Sequence, residues 1–466
     1  MMTATSSLFE TLPAQVAPER KAKPGPRLRT AVRNQIECIP ASLDQTLLKD
    51  HRVRQVWAFV LRLNLSPILS RIKSVESHPG RPSADPKILV ALWLYATIER
   101  IAHGREVARL CYEHIAFRWL CGGVGMNATT LNNFRIYHGD VLEKLLTDSF
   151  AALMKAGVAN LKRSAQDGVR VRAAAGADSF RREKTIKEYL AEAEQRVREL
   201  RAEFEKNTDA DANQRLAAQK RGAEDRERRV EEALCLVEEL QAKQQQEAEN
   251  LKHAIEKKEE ENSDNLTDKS TKKEDKKKDT EPRVSTTDPT ARVMKMADGG
   301  FRPAYNVQFI SDTKSGAIAG VSVDNVGVDY GKATPMIDKI ANDYGQRPEE
   351  HLIDGGYFTI EEVQALSDAG VTVYMPVKKS RDENVDVHKP KKKDSPEVAA
   401  WRERMGTEEG KEIYKERAAT AECANAQARQ RGLTQFVVRG VEKALTCTLW
   451  YALAHNMMCS WRLVPS

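Results

Sequence analysis

At 466 residues with 41% hydrophobic content, the chain is long enough for about two to four domains with true apolar cores. Its longest apolar run, Ile88 to Ile98, is far too short to cross a bilayer, which excludes a helical membrane protein. The net charge of +6 excludes nothing by itself, but the seven cysteines do: an odd count without a C-x-x-C pair argues against zinc or a disulfide framework and for buried reduced thiols.

The stretch Met1 to Gln15 lacks the basic-then-apolar pattern of a secretion signal, so a soluble cytoplasmic protein is expected. Residues 1–40, rich in Pro, Ala and basic residues, predict a disordered basic arm. Residues 41–158 read as all-helical. Asp85-Pro86 supplies an N-cap and a first-turn proline for a helix with Leu89, Trp93 and Thr97 along one face, ended by Gly104. Further helices are predicted over 105–114, 115–120, the TTLNNFRIYH stretch capped from Asn127, and 141–155. Short helices with exposed Arg and Asn fit a DNA-binding module of helix-turn-helix type, and equally any small helical domain.

Residues 163–175 alternate around Val169 and Val171 and predict a strand carrying Asp167. Residues 177–285 interrupt it. Ile186, Leu190, Ala193, Val197 and Leu200 step by three and four, and Val230, Leu234 and Val237 mark a second long helix. A helical hairpin or coiled-coil arm is expected there, followed by a disordered charged linker over 257–287. Strands over 305–310 and 317–323, a helix over 334–344, a strand at Leu352-Ile353, a helix over 359–369 and a strand over 371–377 then predict a mixed sheet. The basic loop around Lys378, Lys379 and Lys391 to Lys393 suits nucleic acid or plain solvation. One helix over 412–431 carries Glu422, and a buried helix over 441–461 holds His455 as a satisfied core histidine.

The stretch His351-Leu-Ile-Asp-Gly-Gly-Tyr-Phe358 ends a short apolar strand in an acid and two glycines. Ligand and metal sites of α/β sheets gather at such strand ends, and glycine lets the chain turn beside the carboxylate. Asp167, Asp354 and Glu422 come from three separate segments of one mixed α/β pattern. Oxygen donors of this kind suit a pair of Mg²⁺ ions in phosphoryl transfer. Spacing alone leaves open a plain turn and unrelated surface acids.

These residues also carry a resemblance. Gln166-Asp167-Gly168, Asp354-Gly355-Gly356-Tyr357, and Tyr414-x-x-Arg417 followed by Glu422 and Arg429 resemble the motifs of the DDE transposases of bacterial insertion sequences. Gly80-Arg81-Pro82, Arg105-Glu106 and Phe134-Arg135 resemble the helical domain that these proteins carry. Val169, Asn425 and Arg429 stand where the family more often has Thr, an aromatic residue and Lys. The resemblance implies a multidomain α and α/β chain: an arm (1–40), a helical DNA-binding domain (41–158), and an RNase H-like catalytic domain (159–176 and 286–466) interrupted by an insertion (177–285). It implies Asp167, Asp354 and Glu422 as catalytic metal ligands for two Mg²⁺ or Mn²⁺ ions. It implies Arg105, Arg135, Lys378, Lys379, Tyr414, Arg417 and Arg429 as DNA-contacting residues. The expected activity is cleavage at terminal inverted repeats and joining of the 3′-hydroxyl ends to target DNA. A homodimer or larger assembly on DNA is expected, in the bacterial cytoplasm with the nucleoid. The alternatives are an inactive transposase-derived repressor and a two-metal nuclease without strand transfer.

Overall fold

The computed structural model describes residues 41–74, 82–207, 210–261, 281–380 and 385–463. Residues 1–42 and 43–466 cluster as separate units, and the second holds every described helix and strand. The expected arm, Gly80-Arg81 and residues 262–280 of the expected linker lie outside the described residues.

Among the described residues, seven α-helices precede the first strand: α1 (Arg52–Val60), α2 (Ser66–Leu69), α3 (Pro86–Ile98), α4 (Gly104–Glu113), α5 (Ile115–Cys121), α6 (Ala128–Tyr137) and α7 (Gly139–Lys155). The caps read from sequence are in place: the Asp85 side chain accepts from the Lys87 amide at 2.8 Å, and Asn127 accepts from Thr130 at 2.8 Å. Two readings change. α3 is buried on every side except at Lys87, so it is a core helix rather than an amphipathic one. Gly104 opens α4 instead of ending α3, which stops at Ile98, and Asn132 of α6 presses where its Cβ would stand.

Strand β1 (Arg163–Arg172) follows, then β2 (Phe180–Arg181) and two long helices, α8 (Glu183–Lys206) and α9 (Ala210–Glu261). The long helices run antiparallel, tied by Gln241 to Glu183 at 2.9 Å and by Arg201 to Glu224 at 3.4 Å. Ile186, Val230, Ala233 and Val237 bury themselves between them with Val284. Part of the expected linker is ordered. α9 runs on through Lys257 to Glu261, since Glu and Lys are good helix formers. Val284 and Ser285 form β3, paired with β2.

The remaining strands are β4 (Arg292–Lys295), β5 (Phe301–Asp312), β6 (Ile318–Asp324), β7 (Glu350–Leu352) and β8 (Thr372–Tyr374), with α10 (Ala333–Tyr344) and α11 (Ile360–Asp368) between them. The main sheet runs β4-β5-β1-β7-β8, and β6 also pairs with β5. β1 is antiparallel to β5 and parallel to β7, so the sheet is mixed. α12 (Pro396–Gly406), α13 (Glu408–Arg417), α14 (Cys423–Gln430) and α15 (Val441–Leu463) close the chain.

Register fixes which side chains share a face. Asp167 stands opposite Phe309, and Gly168 opposite Gln308. Alternation therefore puts Asp167, Val169 and Val171 on one face and Gln166, Gly168 and Arg170 on the other. Val169, Val171, Val307 and Phe309 share a core with Ala424 and Ala428 of α14, with α15 and with the N-terminal helices. Ala165 and Ile310 share a second core with Met336 and Ile337 of α10 and Leu366 of α11. His455 is a core histidine, bonded to the Gly316 carbonyl at 2.8 Å, and burial lowers its pKa to about 4. Cys111, Cys121, Cys447 and Cys459 are buried thiols as expected, whereas Cys235 and Cys423 lie exposed on helix surfaces.

Candidate active site

β1 and β7 run parallel with Ala165 beside Leu352. Two residues further along each chain, Asp167 and Asp354 come out side by side at the end of β7. The Asp354 carboxylate accepts from the Gly356 amide and caps a tight turn over Gly355–Tyr357. A Cβ at Gly356 would come 2.8 Å from Asp354 Oδ1 and force that carboxylate to move; at Gly355 the same position faces open space.

Glu422 arrives by a different device. The single helix expected over 412–431 is three pieces: α13, a π-helical turn over Ala418–Glu422, and α14. On a regular α-helix, residues five apart point about 140° away from each other. The wider π turn brings a residue five on round to the face that a residue four on would otherwise occupy. Arg417 and Glu422 thereby share one face and meet at 3.2 Å.

Arg417 is the hub. Its Nη2 lies 3.2 Å from Asp167 Oδ1 and 3.6 Å from Asp354 Oδ2, and its Nη1 lies 3.2 Å from Glu422 Oε1. The side chains grade from closed to open: Arg417 is 10% exposed, Asp167 19%, Asp354 43% and Glu422 58%. Asn425, one turn beyond Glu422, donates to Asp167 Oδ2 at 2.9 Å. Its own Oδ1 and the Arg417 Nε find no partner among the described residues.

Burial pushes the Asp167 carboxyl above the usual carboxylate range; Arg417 opposes that shift and the charge of Asp354 adds to it. Burial works against the Arg417 cation, yet the acids around it raise its pKa overall. Tyr414 is half-buried beside the group, its phenol pushed up first by burial. Among the described residues no His, Cys, Asp or Glu side chains stand in threes as a metal site; the guanidinium holds the middle place between the acids.

The other expected site residues divide. Arg105, Lys378, Lys379 and Arg429 are exposed. Arg135 is not available to DNA in this fold. It is 6% exposed, its guanidinium stacks 4.6 Å over Trp93, and it donates to the Ala102 carbonyl. In sequence Phe134-Arg135 reads as part of a surface helix, but the cation is used inside the helical core. Sequence reasoning meets Asn425 only as a departure from the family's usual aromatic residue, three residues after Glu422, and gives it no role. It gives Gln308 no role of its own and passes over Asp329, which lies behind β1 with no motif to mark it.

Comparison with known families adds to this geometry. A model described as "Transposase domain (DUF772)" matches residues 41–136, and one described as "Transposase DDE domain" matches residues 378–459. These two matches support an insertion-sequence transposase of the DDE type. Comparison with curated proteins and with solved structures gives no match. The first matched stretch holds Arg105 and Arg135; the second holds Lys378, Lys379, Tyr414, Arg417, Glu422 and Arg429. Asp167 and Asp354 lie outside both, and are joined to Glu422 through Arg417. Transposases of this family act on DNA and generally use divalent metal ions. Among the described residues, no helix is long and apolar enough to cross a membrane.

Proposed function

We propose that this transposase cleaves DNA at the terminal inverted repeats of its element and joins the freed 3′-hydroxyl ends to target DNA, with Asp167, Asp354 and Glu422 as its catalytic acids. The observation that carries this reading is the meeting of three carboxylates, from β1, the turn after β7 and the π turn, at one guanidinium. The donor set fits hard divalent ions such as Mg²⁺ or Mn²⁺: oxygen only, with two of the three acids open to solvent. Asp167, Asp354 and Glu422 would hold two such ions, which when bound supply Lewis-acid polarisation of the phosphate and an activated attacking oxygen.

The chain's own groups do the rest. Arg417 neutralises the acids in the free protein and, released from them, presents a planar fork suited to a phosphate. Asn425 orients Asp167 through its second oxygen. Tyr414 stands beside Arg417, and Arg429, Lys378 and Lys379 are exposed cations for flanking backbone. The sheet is read as an RNase H-like domain (159–176 and 286–466), with α8 and α9 as an insertion (177–285). The helical domain (41–158) is read as gripping the terminal repeats, with Arg105 on its surface. An element has two ends and each chain one acid group, so the working unit on DNA is a homodimer or larger, in the cytoplasm with the nucleoid.

Asp354→Asn tests the reading, since it removes one charge and nearly keeps the shape. Mg²⁺-dependent cutting of end-bearing DNA should be lost and the Mg²⁺-induced rise in melting temperature reduced, while repeat DNA is still bound. Full cutting by the variant would refute the role of Asp354. A wild-type protein that binds repeats and never cuts is a repressor, and one that cuts without joining is a nuclease.

A further inference from the structure

Behind the two aspartates, on the opposite face of the sheet, lies a closed polar network centred on Gln308. Its Oε1 accepts from Gln166 Nε2 at 3.0 Å and from the Tyr357 hydroxyl. Its Nε2 donates to Asp329 Oδ1 at 2.9 Å and to Asn306 Oδ1 at 3.2 Å. All four hydrogen-bonding positions of the amide are thus filled, and Gln308, Gln166, Asn306 and Tyr357 are fully buried. Gln166 is the residue before Asp167; Tyr357 closes the turn that begins at Asp354. One amide therefore ties the strand bearing the first acid to the turn bearing the second.

Asp329 sets which way that amide points. Its Oδ1 also accepts from Asn306 Nδ2 at 2.8 Å, and its Oδ2 pairs with Arg170 at 3.0 Å. A flipped Gln308 would turn its oxygen on the Asp329 carboxylate and its NH₂ on the Gln166 amide donor. The network is tightly packed: a Cβ at Gly168 would stand 2.6 Å from Asp329 Oδ1 and against Gln308 Nε2. Buried polar groups that are fully satisfied fix one geometry.

We propose that Gln308, oriented by Asp329, is a positioning residue that sets the spacing of Asp167 and Asp354. This rests on the reading of those two acids as metal ligands. The experiment is a Mg²⁺ titration followed by melting temperature, alongside cutting of end-bearing DNA, for wild type, Asp354→Asn, Gln308→Met, Tyr357→Phe, Asp329→Ala and Asp329→Asn. The wild-type shift and its reduction in Asp354→Asn are read first; without them both readings fall. Given them, Gln308→Met, Tyr357→Phe and Asp329→Ala should still bind repeat DNA but need about 10- to 100-fold more Mg²⁺ for half the melting shift, as expected when residues behind metal ligands are lost. Cutting should recover in part at saturating Mg²⁺. Asp329→Asn keeps an acceptor for Gln308 and should stay near wild type. Wild-type half-saturation in Gln308→Met and Tyr357→Phe would overturn the proposal and leave the role of Asp354 standing. Should Gln308→Met fail to fold, Tyr357→Phe, which removes a single oxygen, decides alone.

Discussion

Arg417→Gln is the most informative single change, because one side chain holds three acids at 3.2, 3.6 and 3.2 Å. Removing one partner of a buried ion pair costs about 3–5 kcal/mol, whereas an exposed pair is worth about 0–1 kcal/mol. Asp167, 19% exposed, belongs near the first case; Asp354 at 43% and Glu422 at 58% belong near the second. The variant should therefore lose about 3–5 kcal/mol without metal, most of it through Asp167. Divalent metal should give much of this back, since a ligand at about 100 times its Kd adds about 2.7 kcal/mol to the state that binds it. The assay is thermal unfolding of wild type and variant in EDTA and in saturating Mg²⁺. The gap in melting temperature should be wide in EDTA and narrow in Mg²⁺. An equal gap in both, or none in EDTA, would refute the idea that Arg417 stands in for a cation among these acids.

Gly168→Ala should destabilise by about 1–3 kcal/mol, as overpacking does, because the new methyl would meet Asp329 and Gln308 in a buried network. Gly355→Ala, with open space at its Cβ, should be neutral or slightly stabilising; melting curves for the pair check both. For Asp167 the folded pKa lies above the unfolded one, so its protonated form favours folding and that benefit is lost as pH rises through the folded value. Asp167→Asn should then melt above wild type at neutral pH in EDTA, with the advantage shrinking as pH falls below the usual carboxylate range; a gap of opposite sign would refute it. Replacing Lys378 and Lys379 by alanine should lower the slope of log affinity against log salt by about 1 for each phosphate that these lysines neutralise, and an unchanged slope would remove them from the DNA path.

Much of the fold was legible because its signals are local. Asp85 and Asn127 announce their helices by capping chemistry, and Val169 and Val171 mark β1 by alternation. The turn at Asp354 could be read from its glycines, although a Cβ would be crowded only at Gly356. What was not legible depends on partners far away in the chain. Arg135 looks like a surface cation until Trp93 and the Ala102 carbonyl are brought to it. The roles of Gln308 and Asp329 appear only when β5 and the loop after β6 are laid against β1. The π turn was illegible for another reason: Ala418 to Glu422 has an ordinary helix-forming composition, and only packing on the sheet selects the wider turn.

That wider turn sets activity and robustness against each other at the scale of one codon. Deleting Ala419 would leave Arg417 and Glu422 four apart, the spacing that pairs opposite charges on a regular α-helix. The hydrogen-bond ladder from α13 to α14 would close, and the shortened protein should melt at a higher temperature than the natural one. It should also cut DNA more slowly, because a regular α-helical pitch would shift Glu422 from the place at which the π turn holds it against Arg417 and beside the two aspartates. An engineer stabilising this protein by regularising its helices would meet that exchange first at residues 418–422.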